Sequence, residues 1–189
     1  MSDLDLSHRT ALPDALRVLL AEYPREAWEA DPNFSALIRF WLDRHQMFRA
    51  LIEQMDKDVQ EALDGDMEPG FYAQKLARFG GGFVNELHGH HQIEDMHYFP
   101  VLEQQDARIS SGFGILDKDH HQIDALLHGF ADAANQLLRD PGTGSAFRDK
   151  SGAVKTELDR MAPMLDRHLV DEEELVVPVL LKFKPAGLS

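Results

Sequence analysis

The chain has 189 residues, 43% of them apolar and 28% charged, which is the make-up of one compact domain with a real core. It contains no Cys, which excludes disulfides, zinc–thiolate sites, iron–sulfur clusters and thiol chemistry, so any metal must be held by nitrogen and oxygen. Nineteen Lys plus Arg against 33 Asp plus Glu leave a net charge of −14, a balance that repels phosphate backbones and anionic lipid. The amino terminus, MSDLDLSHRT, lacks the basic and apolar regions of a secretory signal, and no run approaches about 18 uninterrupted apolar residues. The expectation is a cytoplasmic protein with no nucleic-acid and no membrane partner.

Apolar residues recur at helical spacing along nearly the whole chain, so the breaks count the helices. Residues 12–23 read as a short amphipathic helix closed by Pro24. Asp31-Pro32 reads as a helix start, with Asp31 as N-cap and Pro32 at the first helical position. Helix A follows to about Leu63, and DGDMEPG (64–70) is a turn. Helix B runs from about Phe71 to Phe99 and is expected to stop near Pro100. Its Gly80-Gly81-Gly82 run implies either a bend or a close approach by another backbone. Helix C extends from Ser111-Gly112 to about Arg139; after the loop DPGTGS (140–145), helix D ends near Pro178 and is expected to kink at Pro163. The predicted fold is all-α: an up-down-up-down four-helix bundle over residues 31–183, preceded by an amino-terminal helix and connector (1–30) and followed by a short tail (184–189).

Ten His is the unusual number in this composition. Five of them, His90, His91, His120, His128 and His168, have an acid four residues on, a spacing that puts both side chains on one helix face. That spacing is also common on solvated faces, so it decides nothing alone. An internal repeat adds weight. Shifted by 78 residues, HHQIEDMHYFPVL (90–102) overlays HLVDEEELVVPVL (168–180), pairing His90 with His168, Glu94 with Glu172 and Asp95 with Glu173. Shifted by 75, His45 with Ala50-Leu51-Ile52 overlays His120 with Ala125-Leu126-Leu127.

Heptad spacing indicates which of these residues point inward. Helix A gives Ile38, Trp41, His45, Phe48, Ile52, Met55, Val59; helix C gives His120, Ile123, Leu127, Phe130, Ala134, Leu137, with His121 on a polar side. Helix D gives Val154, Leu158, Met161, Leu165, His168, Glu172, Leu175, Val179. Helix B offers two stripes, Phe83, Leu87, His90, Glu94 and Val84, His91, Asp95, Tyr98, and the repeat favours the first. Four His and two Glu therefore occupy positions where the pattern calls for apolar residues. Buried carboxylates and imidazoles need partners, and a metal pair satisfies all six; a hydrogen-bonded core network is the alternative.

At these residues the chain resembles the hemerythrin-like family, specifically the HHE cation-binding group. The resemblance lies in the order His, then His-x-x-x-Glu before a Phe-Pro step, then His, then His-x-x-x-Glu before a Pro, across residues 37–182; DRHQMFRALI (43–52) and HQIEDMHYFP (91–100) are the closest local matches. It implies two non-haem iron ions sharing an oxo or hydroxo group, with His45, His90, His120 and His168 as terminal ligands and Glu94 and Glu172 as bridges. Zinc or manganese accepts the same atoms. Two positions depart from the classical oxygen carriers: Asp124 stands where they have a second helix C His, and Glu172 lies four residues after His168 where they have Asp at five. These departures weigh against reversible oxygen carriage.

The expected function is uptake or sensing of dioxygen, nitric oxide or a related small oxidant such as peroxide. A di-iron enzyme consuming peroxide, reducing nitric oxide or oxidising iron is the alternative. A ferritin-like cage needs Glu-x-x-His on two helices, and only Glu94–His97 supplies it. His97 is expected to lie beyond the metal ligands and serve proton transfer, with a fifth His ligand as the alternative, and Asp124 to accept a hydrogen bond from His120 or a neighbouring ligand.

Overall fold

A computed structural model describes residues 4–188. Among them there is no strand, and no helix is long and apolar enough to cross a membrane. The elements in order are a 3-10 turn (Asp14–Leu16), α1 (Val18–Glu22), a 3-10 segment (Arg25–Ala30), α2 (Ala36–Asp64), α3 (Pro69–Ile93), a π-helical turn (Glu94–Tyr98), α4 (Phe99–Leu102), α5 (Ser110–Arg139) and α6 (Gly144–Phe183). The protein is an all-α helical bundle, as the periodicity requires.

Several boundaries differ from the sequence expectation, each for a local reason. The first helix is broken at Arg17 (φ −101°, ψ 18°) into a 3-10 turn and α1. Helix α2 starts at Ala36, not at Pro32. Asp31 spends its side chain on a turn, accepting the Asn33 N–H at 2.7 Å, and Ser35 Oγ instead accepts the Ile38 N–H at 3.3 Å as the cap. The far end of α2 closes as a Schellman motif: Gly65 adopts φ +86°, its N–H reaches Ala62 O, and the Asp66 N–H reaches Glu61 O at 2.9 Å.

Neither Pro100 nor Pro178 stops its helix. Before Pro100 the chain widens into the π turn, in which the Phe99 N–H bonds the Glu94 carbonyl five residues back, and this leaves room for the proline ring. Helix α6 runs unbroken through Pro163 and Pro178 to Phe183. An interior Pro costs about 3 kcal/mol. The flanking Val176, Val177, Val179, Leu180 and Leu181 are all buried, at about 1.5–3 kcal/mol each, which outweighs it.

The chain divides into two compact units, and each long helix contributes a stretch to both. The first comprises the described parts of Met1–Gln46, His90–Gln122 and Met164–Ser189. Its core joins Leu12, Leu19 and Trp28 from the amino-terminal segment to Trp41, Phe113, Leu116 and the apolar end of α6. The second comprises Met47–Gly89 and Ile123–Pro163. Phe83 meets Phe48 and Phe130 edge to face there, with ring centroids 6.3 Å apart in both pairs. Helix α3 is continuous through the glycine run, whose first member is the close approach: a Cβ on Gly80 would lie 3.2 Å from the Phe130 ring, whereas Gly81 and Gly82 face open space.

Candidate metal centre

The first unit gathers the His and acidic residues of four helical stretches into one buried cluster. Helix α2 brings His45, the last turn of α3 brings His90 and His91, and the π turn brings Glu94 and Asp95. Helix α5 contributes Asp119 and His120, and α6 contributes His168, Asp171, Glu172 and Glu173. All six residues expected from sequence are here: His45, His120, His168, Glu94 and Glu172 are at most 1% exposed, and the His90 side chain is 11% exposed.

The donor atoms fall into two groups, each with all its atoms within 4.8 Å of one another: His91, His120 and His168, and His45, His90, Glu94 and Glu172. The two carboxylates reach across both. Glu94 Oε1 lies 2.8 Å from His90 Nε2, while its Oε2 lies 3.5 Å from His120 Nε2. Glu172 Oε2 lies 3.6 Å from His45 Nε2 and 3.4 Å from His168 Nε2. His45 Nε2 and His90 Nε2 point at each other at 3.2 Å. Two nitrogens about 2.1 Å from one ion on adjacent positions lie about 3 Å apart, so the spacing suits a shared cation.

Behind the inward nitrogens stand carboxylates. His45 Nδ1–H donates to Glu173 Oε1 at 3.0 Å, and His120 Nδ1–H to Asp95 Oδ1 at 2.7 Å; Asp119 Oδ2 faces His168 Nδ1 at 3.5 Å. For His45 and His120 the bonded acceptor fixes the tautomer in which Nε2 carries a bare lone pair toward the cluster. Glu172 is oriented by the Trp41 indole, whose Nε1–H donates to its Oε1 at 2.7 Å.

Several inward atoms have no hydrogen-bond partner: both ring nitrogens of His91, Nε2 of His120 and His168, Oε2 of Glu94 and Oε2 of Glu172. Orphaned buried polar atoms of this density do not belong to a self-satisfied hydrogen-bond network, and the donor set fits a cation. Three of the imidazoles already favour that. Burial, with neighbouring His and Arg44, pushes His90 down to about 3 against the pull of Glu172, and burial lowers His91 and His120 as well, which favours the neutral ring, the form that can bind a cation. Burial also disfavours a charged His168, but Asp119 and Glu172 outweigh it and hold that ring up at about 9. Burial and the nearby Glu172 raise Glu94; for Glu172 burial acts upward, yet His45, His168 and His90 outweigh it and lower it.

The clearest departure from the sequence expectation is His91, which is 2% exposed and stacked on His120 at 4.0 Å. It belongs to the stripe set aside in favour of His90, and the structure brings both rings into the cluster. Asp124 is not the acceptor for His120. Asp95 takes that place, and Asp124 Oδ1 lies 3.5 Å from His88 Nδ1 instead. The 78-residue repeat carried the clue, since it pairs Asp95 with Glu173, the acceptors behind His120 and His45. His97 and His121 are both exposed.

Five inward imidazoles and two shared carboxylates on helical stretches define a cation-binding helical bundle. The family model of the hemerythrin HHE cation binding domain matches residues 36–184, and the chain belongs to that family. No curated protein and no solved structure matches the chain significantly.

Proposed function

We propose that the chain holds two non-haem iron ions and uses them in the cytoplasm to bind or sense dioxygen, nitric oxide or a related small oxidant such as peroxide. In this reading His91, His120 and His168 hold one ion, His45 and His90 hold the other, and Glu94 and Glu172 are shared. The observation that carries it is that each glutamate faces histidines of both donor groups. Imidazole nitrogen with carboxylate oxygen suits iron, and equally zinc or manganese. When bound, the ions supply open coordination positions where a small oxidant attaches. The protein's own contribution is enclosure and orientation: Phe99 lies over His120 at 5.4 Å and Trp41 steers Glu172.

The test is to load the reduced protein with ferrous iron and record absorption spectra on exposure to oxygen, nitric oxide and peroxide in turn. A reversible spectral change with at least one supports the reading, and no change with any of them refutes it. One feature favours the enzyme alternative, in which the same centre consumes peroxide, reduces nitric oxide or oxidises iron. Tyr98 packs edge to face on Trp41 with centroids 4.7 Å apart, so an aromatic pair links Glu172 to a surface groove lined by Tyr98 and His97. Sustained turnover that falls in Trp41→Phe and Tyr98→Phe would establish that role.

A further inference from the structure

We infer that the amino-terminal segment, which precedes the family-matched residues 36–184, is a working part of the metal centre: Arg25 and Arg9 position two of its histidines, one in each donor group. The inference rests on the metal-centre reading above.

Arg25 lies on the 3-10 segment Arg25–Ala30, with its guanidinium 4.7 Å from the centroid of the buried Trp28 ring. Its NH1 donates to Glu173 Oε2 at 2.7 Å, and the other oxygen of that carboxylate accepts from His45 Nδ1 at 3.0 Å. One oxygen is therefore anchored while the second fixes the tautomer and plane of His45, whose Nε2 faces His90 and Glu172. The charge-assisted bond from the guanidinium thus helps to hold the carboxylate in the orientation in which it accepts from His45.

Arg9 does the corresponding work on the other group. Its side chain is buried, its Nε donates to Asp171 Oδ2 at 2.8 Å, and its NH1 and NH2 clasp both oxygens of Asp119. Asp119 is the carboxylate that faces His168 Nδ1. The segment is itself fastened: the Leu12 N–H donates to Asp171 Oδ1 at 3.1 Å, Arg167 donates to the same carboxylate and to Thr10 O, and Leu6 and Leu12 are buried. Two guanidiniums from a short segment thus each hold a buried carboxylate that backs a different ligand histidine. Packing alone requires no such pairing, because apolar side chains would cover the same core at lower desolvation cost.

The test is a cobalt(II) titration of the full chain, followed by the cobalt absorption bands, which report the ligand field and need no turnover. Wild type is expected to bind two ions. Arg25→Met should weaken one of them about 10–100-fold and leave the other unchanged, and Arg9→Met should weaken the other one. Arg25→Lys should recover part of the loss. The double variant Arg25→Met/Glu173→Gln should bind no more weakly than Glu173→Gln alone, because both changes cut one chain of contacts. Should Arg9→Met fail to fold, Asp119→Asn reports on the same link, and half-exposed Arg25 carries the test independently. Unchanged cobalt binding in the arginine variants, or equal weakening of both ions in each, overturns the inference by reducing the segment to a cover. A wild type that binds no cobalt overturns the metal-centre reading itself, and this inference with it.

Discussion

Replacing His91 by Leu should move the stability of the metal-free protein and the affinity for metal in opposite directions. His91 is buried with neither ring nitrogen hydrogen-bonded, and an unsatisfied buried polar group costs about 1–3 kcal/mol. Against that relief stands the loss of its stacking on His120, with centroids 4.0 Å apart, worth about 0.5–1.5 kcal/mol. The net gain for the metal-free chain is about 1 kcal/mol, or a rise of about 2–4 °C in Tm for a protein of this size. With metal present the sign reverses. Removing groups that only orient a ligand costs about 10–100-fold in affinity, so losing the ligand itself should cost at least the upper end of that range, about 2.7 kcal/mol. Thermal unfolding followed by circular dichroism, in chelator and then in excess cobalt(II), reads both effects on one sample. A variant less stable in chelator, with metal binding intact, would make His91 an ordinary core residue and refute the reasoning.

Glu94→Gln and Glu172→Gln should each lower metal content from two ions per chain, because both donor groups lose a shared oxygen; elemental analysis showing full loading in both variants would remove the bridging roles. His97→Ala and His121→Ala should retain both ions, since the two side chains are exposed, and loss of an ion from either would place it among the ligands. In helix α3, Gly81→Ala and Gly82→Ala should each stabilise by about 0.8–1 kcal/mol, because both positions are exposed and open. Gly80→Ala should give no such gain, since its Cβ would press on Phe130 at 3.2 Å; urea midpoints of the three variants decide this, and equal gains would contradict the close approach.

What the sequence made legible was whatever repeats along one helix. The inward stripes of α2, α5 and α6 identified His45, His120, His168 and Glu172, and all four are buried in the cluster. The stripe test admits one line per helix, however, and neighbouring positions on a helix are only about 100° apart, so a cluster flanked on two sides can take both His90 and His91. That is why the repeat, by choosing between them, lost one. Pro100 and Pro178 were misjudged as stops because local rules do not see the π turn at Glu94–Tyr98 or the buried valines around Pro178. Arg9, Arg25 and Asp119 left no trace in the pattern, because their partners lie more than a hundred residues away in the chain.

The most direct test of the central claim is iron content and Mössbauer spectroscopy of the full chain after anaerobic reconstitution with ferrous iron. Three imidazoles in one donor group and two in the other predict two irons per chain in two inequivalent environments of equal population. One iron or none per chain, or two irons in a single environment, would contradict the account.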